Sequence, residues 1–244
     1  QINFRELRQW SNALANELVD RGMKVGDRVS VLGANSIPYA VLAHAVMRAG
    51  AILCSVNPRS TTREVIYFFE KYEPTFIVCD EVGGTAAKEA LASAPNAALL
   101  SMDIVNEFRN TEAAPVSDRV SINPDDILVI IGTSGSTGHP KGVMWSHRTI
   151  TYYMMEFGLA EPQATDHPKM LLFAPLAVSA GYLLLMQWPG YGGTAYIAGA
   201  FNPQQALQDI IDHRITAVMG VPVFLEGIAS APGFPEADLS HVQD

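Results

Sequence analysis

Between Ile130 and Ser146 the chain reads IIGTSGSTGHPKGVMWS. Four hydroxyl residues, Thr133, Ser134, Ser136 and Thr137, are interleaved with Gly135 and Gly138 and followed by Pro140, Lys141 and Gly142. Glycines let backbone N–H groups turn inward with no Cβ in the way, and successive inward N–H groups make a concave anion site. The hydroxyls add neutral donors, and Lys141 brings a mobile positive charge suited to phosphate. The plainer alternative is a Gly/Ser/Thr-rich hairpin loop with no ligand, against which stand ten ordered positions of one chemistry. The loop is not a Walker A motif, because Lys141 follows Pro140 and precedes Gly142 rather than Ser or Thr.

Two apolar runs flank these residues, Ile127–Ile131 and Val143–Trp145, so the stretch reads as strand, loop and strand. Upstream, apolar residues at helical spacing predict a helix over 4–21, then a strand over Arg28–Leu32 and a helix over Pro38–Arg48. A strand over Ala51–Val56 precedes a helix that a Thr61/Glu64 capping box opens and that runs to Tyr72. Phe76–Cys79 reads as strand, Ala86–Ser93 as helix, and weaker signals lead through the polar Asn110–Pro124 segment. Strands alternating with helices predict an α/β fold with a parallel, doubly wound sheet. Such sheets bind ligands at the carboxyl ends of their strands, which is where residues 132–142 fall.

Beyond the loop, a helix is expected from His147 to about Phe157, His147 acting as its cap. The polar, proline-bearing stretch Ala160–Pro168 reads as a boundary. It divides a first α/β lobe, residues 1–162, from the beginning of a second, residues 163–244. That second series runs as strand Met170–Ala174, helix Gly181–Gln187, strand Thr194–Ala198, helix Pro203–His213, strand Thr216–Met219 and helix Pro222–Ala229.

The 244 residues suffice for one large domain or two modest ones, and 48 % apolar content excludes wholesale disorder. A net charge of −9, with no basic patch, excludes a nucleic-acid partner. Its few cations must therefore be concentrated locally to hold an anionic nucleotide. Cys54 and Cys79 each lie in an apolar run, which fits reduced thiols in the cytoplasm better than a disulfide. No run approaches the roughly 20 residues that would cross a bilayer. No histidine has a second ligand at metal-binding spacing, and Trp145 and Trp188 read as packing residues.

The decapeptide Thr133-Ser134-Gly135-Ser136-Thr137-Gly138-His139-Pro140-Lys141-Gly142 resembles the TSG[ST]TGxPKG signature of the adenylate-forming, or AMP-binding, superfamily. Gly26-Asp27-Arg28-Val29 with Asn35, Val56-Asn57-Pro58-Arg59, Ala174-Pro175-Leu176 and Gly220-Val221-Pro222 are similar to further family segments in the same order. The resemblance implies the stacked, doubly wound sheets of that superfamily's large N-terminal domain. It also implies an acid–CoA ligase that uses ATP, Mg²⁺ and coenzyme A to convert a carboxylic acid, through an acyl-adenylate, into a thioester. Thr133, Ser134, Gly135, Ser136, Thr137, Gly138 and Lys141 would cradle the nucleotide, Lys141 acting in catalysis and Thr133 near the magnesium. His139 falls at the variable position and has no implied role.

The family's adenine segment, ribose-binding aspartate and second catalytic lysine are not recognisable before Asp244. The chain therefore reads as the front of a longer enzyme, inactive alone, with a homodimer left open. Where many fatty-acyl members carry PLFHxxG, this chain has Pro175-Leu176-Ala177-Val178-Ser179-Ala180-Gly181, so Val178 replaces a histidine. Val178, Ser179 and Gly181 would line the acid pocket, or belong merely to a helix core. Two alternatives stay open: an adenylation domain or acyl-AMP ligase loading a carrier-protein thiol, and a non-catalytic nucleotide-binding module. The absence of Asp and Glu from residues 174–185 leans against an amino-acid substrate.

Overall fold

The computed structural model describes residues 1–133, 141–160 and 167–243. Strands covered on both faces need continuous apolar runs, and the short runs near the N-terminus meet that need. These are β1 (Arg28–Leu32), β2 (Ile52–Ser55), β3 (Phe76–Cys79), β4 (Ala98–Ser101) and β5 (Ile127–Thr133). With β6 (Lys141–Ser146) they form one sheet in the order β4-β3-β1-β2-β5-β6. All pairings are parallel except β5 with β6. The expected doubly wound sheet is therefore present, and β4, only a weak signal in the sequence, is its far edge.

Helices α1 (Phe4–Asp20) and α2 (Ile37–Arg48) pack together, as do α3 (Thr62–Tyr72) and α4 (Glu81–Ala90). Capping boxes open α1, through Asn3 and Glu6, and α3, through Thr61 and Glu64. Val65 and Phe69 of α3 and Ala87 of α4 bury against Leu32, Cys54 and Ile77 of the sheet. Cys54 and Cys79 are buried and unpaired, and burial pushes the Cys54 thiol up to about 12.

The fourth helix begins five residues earlier than its sequence pattern predicts. Asp80 Oδ1 accepts from the N–H groups of Val82 (3.0 Å) and Gly83 (3.1 Å), while Oδ2 accepts from Ala34 N–H at 2.7 Å. One carboxylate thus caps α4 and ties it to the loop after β1. A Cβ on Gly83 would lie 2.6 Å from both Cβ and the carbonyl oxygen of Leu32. Gly83 therefore serves close helix–strand approach.

A short helix α5 (Ile104–Glu107) follows β4, and α6 (His147–Ala160) follows β6. The chain divides into one unit of Gln1–Thr151 with Ala177–Ser179, and another of Tyr152–Leu176 with Ala180–Asp244. Most of the polar stretch read as a boundary lies outside the described residues. In the second unit β7 (Lys169–Leu172), β8 (Thr194–Ile197) and β9 (Ala217–Val218) form a parallel sheet in the order β8-β7-β9. Helices α7 (Ser179–Gln187), α8 (Pro203–His213) and α9 (Pro222–Ala229) alternate with these strands. Phe173, Phe201 and Phe224 pack on one another beside this sheet, with ring centroids 4.6–5.4 Å apart in tilted and edge-to-face pairs. No described helix is long and apolar enough to cross a membrane.

Two consequences for stability follow from the first unit. Asp80→Ala removes a helix cap and an inter-element hydrogen bond, and should cost about 1–3 kcal/mol in urea unfolding. His44 is buried on α2, and burial, with Arg48 nearby, lowers its pKa to about 4. Below its ordinary pKa of about 6.5 the unfolded chain takes up a proton that the folded chain refuses, so stability falls as pH drops from 6.5 towards 4. Between pH 7 and pH 5 this amounts to about 2 kcal/mol, and His44→Leu should flatten the urea-midpoint profile across that window by a similar amount.

Candidate functional site

The antiparallel pairing of β5 and β6 sets Ile130 opposite Met144, Ile131 opposite Val143, Gly132 opposite Gly142, and Thr133 opposite Lys141. The two expected strands are thus present as an antiparallel pair, and Lys141 is the first residue of β6. Lys141 is exposed. Ser134, Gly135, Ser136, Thr137 and Gly138 lie outside the described residues. Their two ends, Thr133 and Lys141, meet directly across the ladder.

This junction sits at the carboxyl end of a parallel strand. Ser55 of β2 pairs with Ile131, so Asn57 and Thr133 each stand two residues further on. Asn57 turns the chain there: Oδ1 accepts from Arg59 N–H at 2.9 Å, and its carbonyl from Ser60 N–H at 2.9 Å. The turn leaves Arg59 exposed at the same sheet edge as the hairpin. Its guanidinium forms no ion pair among the described residues, and the sequence signal for it is a cation immediately after a buried strand.

The base of the hairpin is held by α6. Ser146 Oγ accepts from Thr149 N–H at 3.2 Å, and Arg148 forks onto Asp125 at 2.6 and 3.0 Å, which holds that carboxyl below its usual range. His147 starts α6, and its N–H donates to the Asp126 carbonyl at 3.1 Å. Burial lowers the imidazole pKa, with Asp126 opposing the shift. The side chain that caps α6 is thus Ser146, and His147, expected to be the cap, is the first residue of the helix.

One face of the stem is bare because Gly132 and Gly142 are cross-strand partners. A Cβ on Gly132 would lie 3.0 Å from Phe68 Cε1 and 3.5 Å from Tyr72 Oη. On Gly142 it would lie 2.7 Å from Ile130 Cγ2 and 3.6 Å from Tyr72 Cε1. Phe68 and Tyr72 stack on one another at 5.5 Å. With Tyr67, Lys71, Ile130 and Met144 they border an open groove of about 220 Å³ along the stem. The loop motif gives no hint of this aromatic contact.

The residues expected to line an acid pocket stand around the start of α7. Val178 is half-buried just before the helix, Ser179 is its exposed first residue, and Gly181 is buried within it. A Cβ on Gly181 would lie 2.1 Å from the carbonyl oxygen of Pro175, so its glycine serves close helix–loop approach. Among the described residues no group of three or more His, Cys, Asp or Glu is disposed to hold a metal. A magnesium ion would instead arrive on the phosphates it neutralises.

The whole chain, residues 1–244, matches the model of the AMP-binding enzyme family. It is 27 % identical, over 98 % of its length and 49 % of the relative's, to a medium/long-chain-fatty-acid–CoA/3-oxocholest-4-en-26-oate–CoA ligase of Mycolicibacterium smegmatis. It is 29 % identical to a feruloyl-CoA synthase of an Amycolatopsis species, over 99 % of this chain and 48 % of the relative. The chain spans about half the length of these relatives. Its fold matches the N-terminal domain of FACL13 from Mycobacterium tuberculosis with a TM-score of 0.88, at 22 % identity over 98 % of this chain and 61 % of that one. With the family model spanning every residue and the loop motif standing at the carboxyl edge of the sheet, the chain belongs to the AMP-binding enzyme family.

Proposed function

We propose that this protein activates a carboxylic acid with ATP, forming an acyl-adenylate and pyrophosphate, and then transfers the acyl group to the thiol of coenzyme A. The observation that carries the reading is the register that sets Thr133 against Lys141 at the carboxyl end of β5, with a seven-residue loop of small donors between them. Both relatives are named as acid–CoA enzymes, which supports coenzyme A over a carrier protein as acceptor.

In this reaction a carboxylate oxygen attacks the α-phosphorus while the bond to the β-phosphate bridging oxygen breaks. Charge accumulates on the departing pyrophosphate, so catalysis rests on fixed donors and cations there. Lys141 supplies the ammonium. Ser134, Ser136 and Thr137 supply hydroxyls, and Gly135 and Gly138 free the backbone N–H groups. Thr133 would be the protein contact for Mg²⁺, which would supply further neutralisation of the phosphate charge. Arg59, exposed at the same edge, adds a second positive charge to the approach. In a chain of net charge −9, these cations offset the repulsion that a triphosphate meets.

Val178, Ser179 and Gly181 form the acid-facing segment. Val178 cannot donate a hydrogen bond to the carboxylate, so recognition there is apolar, and the relatives' fatty and feruloyl acids support a substrate with a large apolar body. The buried thiols of Cys54 and Cys79 support residence in the reducing cytoplasm.

A panel of fatty, sterol-derived and aryl acids, assayed by ATP–pyrophosphate exchange with the full-length protein, should identify the substrate. Lys141→Ala should slow that exchange roughly 10- to 150-fold, since a hydrogen bond to a charged group is worth about 1.5–3 kcal/mol. Exchange at the parental rate would remove Lys141 from the site. Val178→Glu should lower kcat/KM for the preferred acid at least about tenfold, through an unpaired carboxylate facing an apolar body, while the KM for ATP stays unchanged.

A further inference from the structure

We propose that Phe68 and Tyr72 are positioning residues for the nucleotide: their stacked rings, seated in the notch left by Gly132 and Gly142, hold the stem that aims Lys141. The inference rests on the phosphate-loop reading above and adds residues from α3 that lie far from the loop in sequence.

The hairpin has an intrinsic weakness. β6 pairs only with β5 among the described strands, and its first four residues are exposed. Glycine at both members of the pair next to the Thr133–Lys141 end leaves that pair no cross-strand side-chain contact, which ordinarily stabilises a ladder. Register is weakly specified in glycine-rich strands, and a slip of one residue here would turn Lys141 to the opposite face. Something other than the ladder must hold it.

The rings of α3 meet that need. Any side chain at Gly132 or Gly142 would intrude on contacts now made by Phe68, Tyr72 and Ile130. The helix that carries the rings is itself anchored at both ends. Thr61 and Glu64 cap its start. At its far end the Arg28 guanidinium, on β1, donates to the carbonyls of Tyr72 at 2.9 Å and Glu73 at 2.7 Å. The stem is thereby referenced to the centre of the sheet rather than to its edge.

Tyr72 makes this contact by packing and not through a hydrogen bond of its hydroxyl. Tyr72 is 7 % exposed, and Oη finds no hydrogen-bond partner among the described residues. Phenylalanine would therefore fill the same notch without a buried, unpaired polar atom.

The test is calorimetric titration of the full-length protein with ATP–Mg²⁺. Stoichiometry reports the folded fraction and Kd reports the site. Tyr72→Leu should weaken Kd about tenfold at unchanged stoichiometry, and Tyr72→Phe should bind within about twofold of the parent. Phe68→Leu, at a half-buried position that tolerates the change, should weaken Kd in the same direction and serves if Tyr72→Leu does not fold. Because the rings act through Lys141, Tyr72→Leu should add less than about twofold in a Lys141→Ala background. Lower stoichiometry with a parental Kd in both leucine variants, a weakened Tyr72→Phe, or losses that multiply in the double variant would each overturn the positioning role. Parental binding by Lys141→Ala would instead remove the phosphate-site reading on which it rests.

Discussion

A site for polyphosphate works only if its donors are arranged before the anion arrives, because donors that must be reorganised give back much of what they gain. In this chain the arrangement begins with backbone pairing between β5 and β6. A ladder that ends with Thr133 against Lys141 closes a loop of seven residues on a span of a few ångströms. The same ladder extends the parallel sheet by one antiparallel strand, so the loop emerges at the edge where β1, β2 and β3 also end. Parallel strands bring their carboxyl ends to one side of the sheet as a matter of topology. The hairpin joins that side with no helix between β5 and β6 among the described residues.

The electrostatics follow from that placement. A protein carrying nine excess negative charges repels a nucleotide at long range, and screening limits this to about 8–10 Å at physiological salt. Within that distance the local charges decide. Lys141 and Arg59 stand at one sheet edge, while Arg148 at the other end of the hairpin is committed to Asp125. The nearby His147 is held neutral by burial and contributes no charge. Cationic character is thus concentrated at the loop end of the hairpin.

Much of this was legible in the residues. The runs Arg28–Leu32 and Phe76–Cys79 are strands over their full expected length, and Pro203–His213 and Pro222–Ala229 are helices as their proline starts imply. These segments have one period and clear punctuation. The fourth helix was placed five residues late, its first turn holding Gly83 and Gly84, which are poor helix formers. Only the structure shows Leu32 so close that a side chain at Gly83 cannot fit. The strand expected over Thr216–Met219 shrinks to Ala217–Val218, since two paired residues of β7 define all of its ladder. Arg59 was noted only within a family-like segment and given no site role, because a cation after Asn-Pro reads as ordinary turn chemistry.

Gly132 and Gly142 show a deeper reason why sequence alone falls short at the site. Within the motif, the proposed phosphate site offers a reason for Gly135 and Gly138. Gly132 and Gly142 belong to strands, where a glycine weakens pairing and needs some other justification. Its justification is a helix more than 60 residues away in sequence, whose rings occupy the missing side-chain volume. A contact of that kind leaves no periodic trace in either segment, because Phe68 and Tyr72 fit equally well into the apolar face of any amphipathic helix. The residue chemistry of the motif is therefore local and readable, whereas the seating of its stem is a property of the packed fold.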